Sequence, residues 1–226
     1  KMRLISKADK QNTELIEYFT LWAHQIKTPL SAIHLLLQSE EMDSKKELSN
    51  QIFQIEEYVD MALQYLRLDS MSSDLKLGEY QVLDIIRKAI KSYAKIFIAK
   101  KIKLNLEEMD TKIITDEKWL LFVIKQILSN ALNYTNEGEI SIYIEDEKTL
   151  VIQDTGIGIG EEDIPRIFER GFTGYNGRMN RKSTGLGLYL CKSIVDQLSH
   201  KITISSKIGI GTRVKIDLSS HPLEIK

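Results

Sequence analysis

The sequence predicts an α+β protein in which a helical hairpin precedes an α/β sandwich. Three observations carry this prediction. Residues 8–66 repeat apolar side chains at helical spacing, residues 101–106 and 140–153 alternate as strands do, and a polar, glycine-terminated stretch at 70–78 separates the two patterns. With 42% hydrophobic residues in 226, the chain has enough apolar material for one large or two modest domains.

The composition excludes several classes of protein. A formal net charge of −1 argues against a nucleic-acid binder, which needs a basic excess. The single cysteine, Cys191, rules out an intrachain disulfide and indicates a reduced, intracellular setting. No run approaches 18 apolar residues and no signal peptide is visible, but the sequence is already amphipathic by Leu15, so we expect a piece of a longer protein.

The first predicted helix spans residues 8–38. A coiled-coil seam with alternating spacings of four and three residues runs through Phe19, Ala23, Ile26, Leu30, Ile33 and Leu37. His24 lies one position beside this seam and should face water, with Lys27 near it. Pro29 has no N–H for the carbonyl of Gln25, so the helix is interrupted beside the histidine. Another domain should therefore be able to approach this imidazole.

A second helix with the same spacing follows a polar break at 38–44. Its seam runs through Leu48, Ile52, Ile55, Val59, Ala62 and Leu66. Two such helices form a hairpin, but a hairpin alone leaves much apolar surface in water. We expect a homodimer that completes a four-helix bundle, and the alternative is packing against other helices of the same chain.

The remaining elements predict a sheet covered by helices on one side. Helical spacing recurs over 82–93, 116–134 and 186–198, with Asp116 as a plausible N-cap. Strand alternation occurs at 101–106, 140–144, 150–153, 202–204 and 214–218, the last two around the turn Gly209–Gly211. Alternation gives each strand one wet and one buried face, so the sheet should be mostly antiparallel.

A line of polar residues crosses the helix at 116–134. Gln126, Asn130 and Asn133 are four and three residues apart, which places them along one side of the helix. Single amides are common at core edges, whereas three in line favour a polar ligand. The carbonyl oxygen of Asn130 suits a hard cation such as Mg²⁺, which prefers oxygen ligands.

Two glycine-rich segments predict close approach to a ligand. Asp154 ends a strand and precedes Gly156 and Gly158, whose backbone can approach a ligand while Asp154 accepts a hydrogen bond from an exocyclic amine. The alternative is a tight turn with an aspartate cap. Thr184–Leu188 opens a helix whose bare N–H groups suit phosphate oxygens.

The stretch between these segments is long and basic. Residues 171–183 contain three glycines together with Arg178, Arg181 and Lys182. A lid over phosphates is one use for such a segment, and an ordinary surface loop is the other.

These motifs resemble those of sensor histidine kinases. His24–Pro29 matches the H-box, Gln126–Thr135 the N-box, Asp154–Ile159 the G1 box, Ile167–Arg170 the F-box and Thr184–Leu188 the G2 box, in the family's order. The last four belong to the Bergerat-type α/β sandwich that binds ATP, also found in GHKL ATPases. The segment Trp22–Pro29 is similar to the intramembrane-sensing kinases of Gram-positive bacteria, which respond to peptide antibiotics.

The resemblance implies the following assignment of residues and partners. His24 accepts phosphate from ATP and passes it to an aspartate of a response regulator, Asn130 ligates Mg²⁺, and Asp154 binds the adenine amine. The nucleotide site would comprise Gln126, Asn130, Asn133, Tyr134, Asp154, Gly156, Gly158, Arg178, Arg181, Lys182, Thr184, Gly185, Leu186, Gly187 and Leu188. The chain would be the cytoplasmic portion of a cell-membrane homodimer that works with a peptide-antibiotic ABC transporter.

The same resemblance implies the division of the chain into domains. Residues 1–69 would form the dimerisation and histidine phosphotransfer hairpin, and 70–78 the linker. Residues 79–220 would form the catalytic ATP-binding domain, and 221–226 a C-terminal tail.

The chain departs from the family pattern at two places. Gln25 follows His24 where most such H-boxes carry an acid, and an amide cannot take the imidazole proton, so Gln25→Glu should change the autophosphorylation rate. Thr28, one turn on, can orient a water for dephosphorylation of the regulator. Asn133 stands where relatives often have a basic residue and Gln126 where many have asparagine, so the cations of 171–183 would act on the phosphates instead.

Two rival functions belong to other classes. One is a GHKL-type ATPase or serine protein kinase without phosphohistidine, against which the H-box and the seam argue. The other is a catalytically weak dimeric scaffold that binds ATP, which Gln25 and Asn133 would favour. Acid-labile, base-stable phosphate on the protein separates a histidine kinase from both.

Overall fold

The computed structural model describes residues 2–38, 44–68, 70–174 and 185–219. By its internal contacts the chain divides into two compact units, one up to Arg67 and one from Leu68 onward. Each unit is taken by itself below.

The first unit is a pair of long helices. Helix α1 spans Met2–Gln38 and α2 spans Ser44–Leu68, which confirms the two predicted helices. Tyr18 of α1 stacks on Tyr65 of α2, with ring centroids 4.0 Å apart. Trp22 Nε1 donates a hydrogen bond to the Tyr58 carbonyl at 2.8 Å. The helices therefore pack side by side as a hairpin, and the predicted break at 39–43 lies outside the described residues.

The predicted seams do not form the interior of the single hairpin, and their burial in a dimer stays a prediction. Except for Ala62, their residues stay partly or largely exposed, and Leu30, Leu37 and Ile52 reach 45%, 67% and 49%. The buried residues are neighbours of the seam, such as Tyr18 and Pro29 on α1 and Met61 on α2. A shift of one position rotates the contact by about 100° around a helix. The bulky Tyr18 and Trp22 occupy the hairpin contact, and the seams form an open apolar face.

The second unit begins with short elements. Helix α3 covers Met71–Asp74, and strand β1 (Gly78–Gln81) pairs antiparallel with β3 (Lys112–Thr115) in a two-stranded sheet. Between them lie α4 (Val82–Lys100) and β2 (Lys103–Leu106). Neither β1 nor β3 is predicted from the sequence, because four residues give too few alternations to recognise.

A five-stranded sheet forms the centre of this unit. Its further strands are β4 (Glu139–Glu145), β5 (Thr149–Asp154), β6 (Lys201–Lys207) and β7 (Gly211–Asp217), in the order β2-β4-β5-β7-β6. Among the strands that the structure describes in this sheet, only the β2–β4 pair is parallel, which confirms a mostly antiparallel sheet. The register places Asp154 of β5 opposite Ile140 of β4 and Thr212 of β7.

The core lies between one face of the sheet and the helices. Helices α4, α5 (Glu117–Tyr134) and α6 (Gly187–Gln197) bury one side each. The sheet residues Ile140, Ile142 and Ile216 are completely buried with them, whereas Gln153 on the other face is exposed. This arrangement confirms helices on one side of the sheet. None of the described helices has the length and apolar character needed to cross a lipid bilayer.

The stretch predicted as a linker contacts the second unit closely. Met71 is fully buried, and the backbone N–H of Lys76 donates to Asp116 Oδ2 at 2.8 Å. Just before it, the Leu68 carbonyl accepts a hydrogen bond from Gln197 Nε2 at 3.2 Å. The chain is thus fixed to the second unit well before its first strand.

Candidate functional site

Helix α5 presents the predicted polar line at its edge. Asp116 caps the helix by accepting from the N–H groups of Lys118 and Trp119 at 3.0 and 3.2 Å. Its apolar side, from Trp119 to Leu132, is buried in the core. Gln126 and Asn130 are half-buried and Asn133 is exposed. The structure therefore places these amides at the border of core and solvent, where a polar ligand can reach them.

The loop after β5 meets the end of α5. The N–H of Ile157 donates to the Tyr134 carbonyl at 3.1 Å. A Cβ on Gly156 would lie 2.4 Å from the same carbonyl oxygen, so only glycine allows the backbones to approach this closely. The predicted N-box and G1 segments are therefore neighbours in space.

Asp154 is held at the base of this loop. Its Oδ1 accepts from the N–H of Gly156 at 2.8 Å and from the N–H of Thr212 at 3.2 Å. The side chain is buried, and burial raises the pKa of the Asp154 carboxyl while both amide bonds lower it. Among the described residues no hydrogen bond to Oδ2 is found, so this oxygen can accept one from a ligand.

The start of α6 packs directly against α5. A Cβ on Gly187 would lie 2.4 Å from Gln126 Nε2, which brings the G2 segment against the N-box. Among the described residues no side-chain cap is found at Leu186, and N–H groups at the start of a helix are suited to an anion. Leu186 and Gly187 are buried, and Gly185 and Leu188 are half-buried beside them.

The F-box segment, residues 167–170, lies next to the start of α6. The N–H of Gly171 donates to the Gly185 carbonyl at 2.9 Å. Just before it, Arg166 forms an ion pair with Glu169 at 3.0 Å and lies over the Phe172 ring, 4.5 Å from its centroid. The predicted site residues Arg178, Arg181, Lys182 and Thr184 lie outside the described residues, and with them the predicted lid.

The histidine of the H-box lies on α1, in the first unit. His24 and Lys27 are exposed, as predicted, and Gln25 is half-buried. Thr28 Oγ1 donates to the His24 carbonyl at 3.3 Å, which leaves its lone pairs for a water. The helix continues through Pro29, which is buried.

Sequence reasoning missed three residues that shape or border this site. Thr212 supplies one of the two amides on Asp154, and Ser206 accepts a hydrogen bond from the loop at Ile159. The only signal was the predicted turn at Gly209–Gly211, which does not reveal the register of β7 against β5. Lys100 was missed as well, and its Nζ binds the Leu132 and Thr135 carbonyls at 2.5 and 3.2 Å, at the negative end of α5.

Comparison with a family model identifies the C-terminal part of the chain. Residues 115–222 match the model described as histidine kinase-, DNA gyrase B-, and HSP90-like ATPase. The match covers α5, the loop after β5 and α6, which are the elements that form the site described above.

Several characterised sensor proteins are similar over most of the chain. Sensor histidine kinase YxdK of Bacillus subtilis is 36% identical over 207 residues, covering 88% of this chain and 63% of that protein. Sensor protein kinase GraS of Staphylococcus aureus is 37% identical, covering 87% of this chain and 58% of that protein. The chain thus spans about three fifths of the length of these relatives.

Solved structures support the fold. The Acinetobacter baumannii histidine kinase AdeS aligns with 87% of this chain and 98% of its own at a TM-score of 0.57 and 22% identity. Histidine kinase ThkA, solved in complex with the response regulator protein TrrA, aligns with 97% of this chain and 66% of its own at a TM-score of 0.67 and 20% identity. Both likenesses concern the architecture of a helical part followed by an α/β sandwich.

Proposed function

Since the chain belongs to the sensor histidine kinases of two-component systems, we propose that it phosphorylates itself on His24 with ATP and passes the phosphoryl group to an aspartate of a response regulator. One observation carries this proposal. The loop after Asp154, the edge of α5 and the start of α6 lie together, as a nucleotide site requires.

Separate groups of described residues fit the adenine and the phosphates of ATP. Asp154 Oδ2 would accept a hydrogen from the adenine amine, while the glycines after it leave room for the ring. The N–H groups at the start of α6 would bind phosphate oxygens, which carry the negative charge that a helix N-terminus favours. The basic residues Arg178, Arg181 and Lys182 would add positive charge to the phosphates.

Whether Mg²⁺ fits this site depends on which ligand atoms the protein side chains offer. Among the described residues no three carboxylate, histidine or cysteine side chains come together as a metal cage. Mg²⁺ with ATP does not need one, since it keeps waters and takes one or two protein oxygens besides the phosphates. The half-buried amide of Asn130 offers such an oxygen. Bound there, the ion would neutralise charge on the phosphates.

The transfer itself asks little of the protein beyond positioning. A ring nitrogen of neutral His24 attacks the γ-phosphorus, a nitrogen–phosphorus bond forms, and the bond to the β–γ bridging oxygen breaks to release ADP. The imidazole then loses its other ring proton. Gln25 cannot accept that proton, so we expect water to take it. In a separate phosphatase reaction, Thr28 would orient a water that hydrolyses the aspartyl phosphate of the regulator and releases inorganic phosphate.

The open apolar face of the hairpin supports a homodimer. Except for Ala62, its seam residues remain partly or largely exposed in the single chain, and Leu30, Ile52 and Leu66 are among the most exposed. Association of two hairpins through this face would bury them in a four-helix bundle. That the parent protein lies in the cell membrane and serves a peptide-antibiotic ABC transporter follows from the resemblance and is part of the proposal.

The test uses two histidines of the same helix. His24→Gln should abolish labelling of the chain by [γ-³²P]ATP, whereas His34→Gln, which changes another exposed histidine of α1, should leave it unchanged. The label on the native chain should be acid-labile and base-stable, and should move to a purified receiver domain.

Other results would point to other functions. Label retained by the His24→Gln variant, or label stable to acid, would exclude His24 as acceptor and favour a serine kinase. ATP binding without any label would favour the scaffold.

A further inference from the structure

The loop that follows Asp154 lies along the turn between β6 and β7. The N–H of Gly209 donates to the Ile157 carbonyl at 2.9 Å. Gly158 has a φ of +74°, and a Cβ there would lie 2.1 Å from the Lys207 carbonyl oxygen. The loop and the hairpin backbone are thus in direct contact, with no space for a side chain between them.

One side chain of the hairpin binds this loop. Ser206 Oγ lies 2.8 Å from the N–H nitrogen of Ile159, 2.7 Å from the Gly211 carbonyl oxygen and 2.9 Å from Thr212 Oγ1. It therefore joins the far end of the loop to both strands of the hairpin.

The directions of these bonds follow from counting hydrogens. A serine hydroxyl has one hydrogen and two lone pairs, and a carbonyl oxygen can only accept. Ser206 must give its hydrogen to Gly211, and the N–H of Ile159 must donate to Ser206. The remaining lone pair of Ser206 then accepts from the hydroxyl of Thr212. All three bonds form only if the Thr212 hydroxyl points its hydrogen at Ser206 Oγ. Thr212 is then the donor in this bond and not the acceptor.

The same threonine also binds the aspartate of the site. The N–H of Thr212 donates to Asp154 Oδ1, which the N–H of Gly156 binds as well. The loop is consequently fixed at its start through Thr212 and at its end through Ser206. Both contacts come from one hairpin, in which Ser206 of β6 is paired with Thr212 of β7.

We propose that Ser206 is a positioning residue for nucleotide binding, which holds the loop 154–160 in its binding shape and sets the direction of the Thr212 hydroxyl. The inference rests on the proposed function, in which Asp154 and this loop contact the adenine. Without the hydroxyl, the N–H of Ile159 loses its acceptor and the loop must be ordered by the nucleotide itself. Such a loss weakens binding by roughly 3- to 20-fold, the range for one or two hydrogen bonds.

The experiment compares three variants of the whole chain. ADP binding is measured by isothermal titration calorimetry, and the KM and kcat for ATP by autophosphorylation. Ser206→Ala should bind ADP about 3- to 20-fold more weakly and raise KM with little change in kcat. Ser206→Thr keeps the hydroxyl and should bind within about twofold of the native chain. Ser205→Ala, at the exposed neighbouring position of the same strand, should bind as the native chain does.

Further measurements separate positioning from general damage. Amide hydrogen exchange at Ile159 should be faster in Ser206→Ala, while exchange in α5 stays unchanged. If Ser206→Ala does not fold, Thr212→Val tests the same network, because it removes one partner of Ser206 and should weaken ADP binding in the same direction.

Unchanged ADP binding by a folded Ser206→Ala would overturn the inference, as would a loss in Ser206→Thr equal to that in Ser206→Ala. Failure of the native chain to bind any nucleotide would instead overturn the proposed function. In that case exchange at Ile159 still decides whether Ser206 holds the loop.

Discussion

Asp154 carries two backbone hydrogen bonds on one carboxylate oxygen, and the proposed function gives the other oxygen to the adenine amine. Oδ1 is occupied by two backbone amides, so the side chain cannot rotate freely. The cost of this arrangement is burial, which raises the pKa of the Asp154 carboxyl. An acid whose pKa is higher in the folded than in the unfolded protein lowers stability as pH rises between the two values.

We predict that Asp154→Asn weakens nucleotide binding without destabilising the fold. The amide oxygen of asparagine can still accept from Gly156 and Thr212, but its NH₂ group repels the adenine amine, so affinity for ADP should fall about 10- to 100-fold. The free energy of unfolding at pH 7 should equal or exceed that of the native chain. This difference should vanish at about pH 3 and below, where the carboxyl is protonated in both the folded and the unfolded state.

Urea denaturation at pH 7 and at about pH 3 and calorimetry with ADP check this prediction. Asp146→Asn is the matched control. Asp146 is an exposed turn residue with a left-handed backbone conformation, which asparagine tolerates as well as aspartate does. A large loss of stability in Asp154→Asn at pH 7 would contradict the interpretation.

The sequence shows which residue types belong to the site but not which atoms they bind. Asp154, Asn130 and the glycines are recognisable from residue type and spacing, because the backbone approach that they allow is local. Thr212 reaches Asp154 only through the register of β5 against β7. Ser206 reaches Ile159 of the loop only through the pairing of β6 with β7. Register is a long-range property, which alternation of apolar residues in one strand does not encode.

At the level of elements, helix α5 carries the amides of the site and is fixed at both ends. Asp116 caps its first turn and also binds the N–H of Lys76 with its second carboxylate oxygen. Lys100 binds the carbonyls of its last turn. Both ends thus depend on side chains, so the position of Asn130 depends on the capping residues as well as on the core.

We predict that Asp116→Ala lowers the free energy of unfolding by about 1.5–5 kcal/mol. Two losses of stability add up. Losing the N-cap costs about 0.5–2 kcal/mol, and leaving the Lys76 N–H without its acceptor costs about 1–3 kcal/mol. Asp116→Asn should lose less, because asparagine still caps a helix. Thermal or urea unfolding measures the difference.

The control for this prediction is an acidic residue on the surface. Glu108 forms an ion pair with Arg87 but its side chain is 86% exposed, so Glu108→Ala should change stability by less than about 0.5 kcal/mol. Equal losses in the Asp116 and Glu108 variants would show that charge, and not the cap, is responsible.

The long elements were predicted better than the short ones. Helices α1, α2, α4, α5 and α6 and the five strands of the main sheet follow from periodicity, with ends shifted by a few residues. The strands β1 and β3 have four residues each, and only pairing with each other identifies them. Within the single hairpin the seam residues are only partly buried, because the spacing of apolar residues does not tell which stripe faces the partner helix of the same chain and which is left for a second chain.

For the whole molecule, the open apolar face of the first unit has the largest consequence. Leu30, Ile52 and Leu66 are 45%, 49% and 48% exposed, and each lies on a predicted seam. Burying a leucine contributes about 1.5–3 kcal/mol, so a face of such residues on two helices is enough to hold two copies together.

We predict that Leu30→Lys raises the dimer dissociation constant at least 10- to 100-fold, because a lysine ammonium would have to be buried in the bundle. Leu35→Lys is the matched control. Leu35 is 69% exposed and lies about 140° around α1 from Leu30, so this variant should associate like the native chain. Sedimentation equilibrium measures both constants, and equal values for the two variants would argue against this face as the interface.

The stretch around Met71 shows where the ATP-binding part would have to be cut to be produced alone. The predicted boundary at residue 79 would discard a fully buried methionine and the Lys76 amide bound to Asp116. Removing a buried methionine side chain alone costs about 2–5 kcal/mol, a large share of what a small domain has. A fragment starting at Leu68 would keep both contacts, so the residues that connect the two units in sequence belong, by stability, to the second.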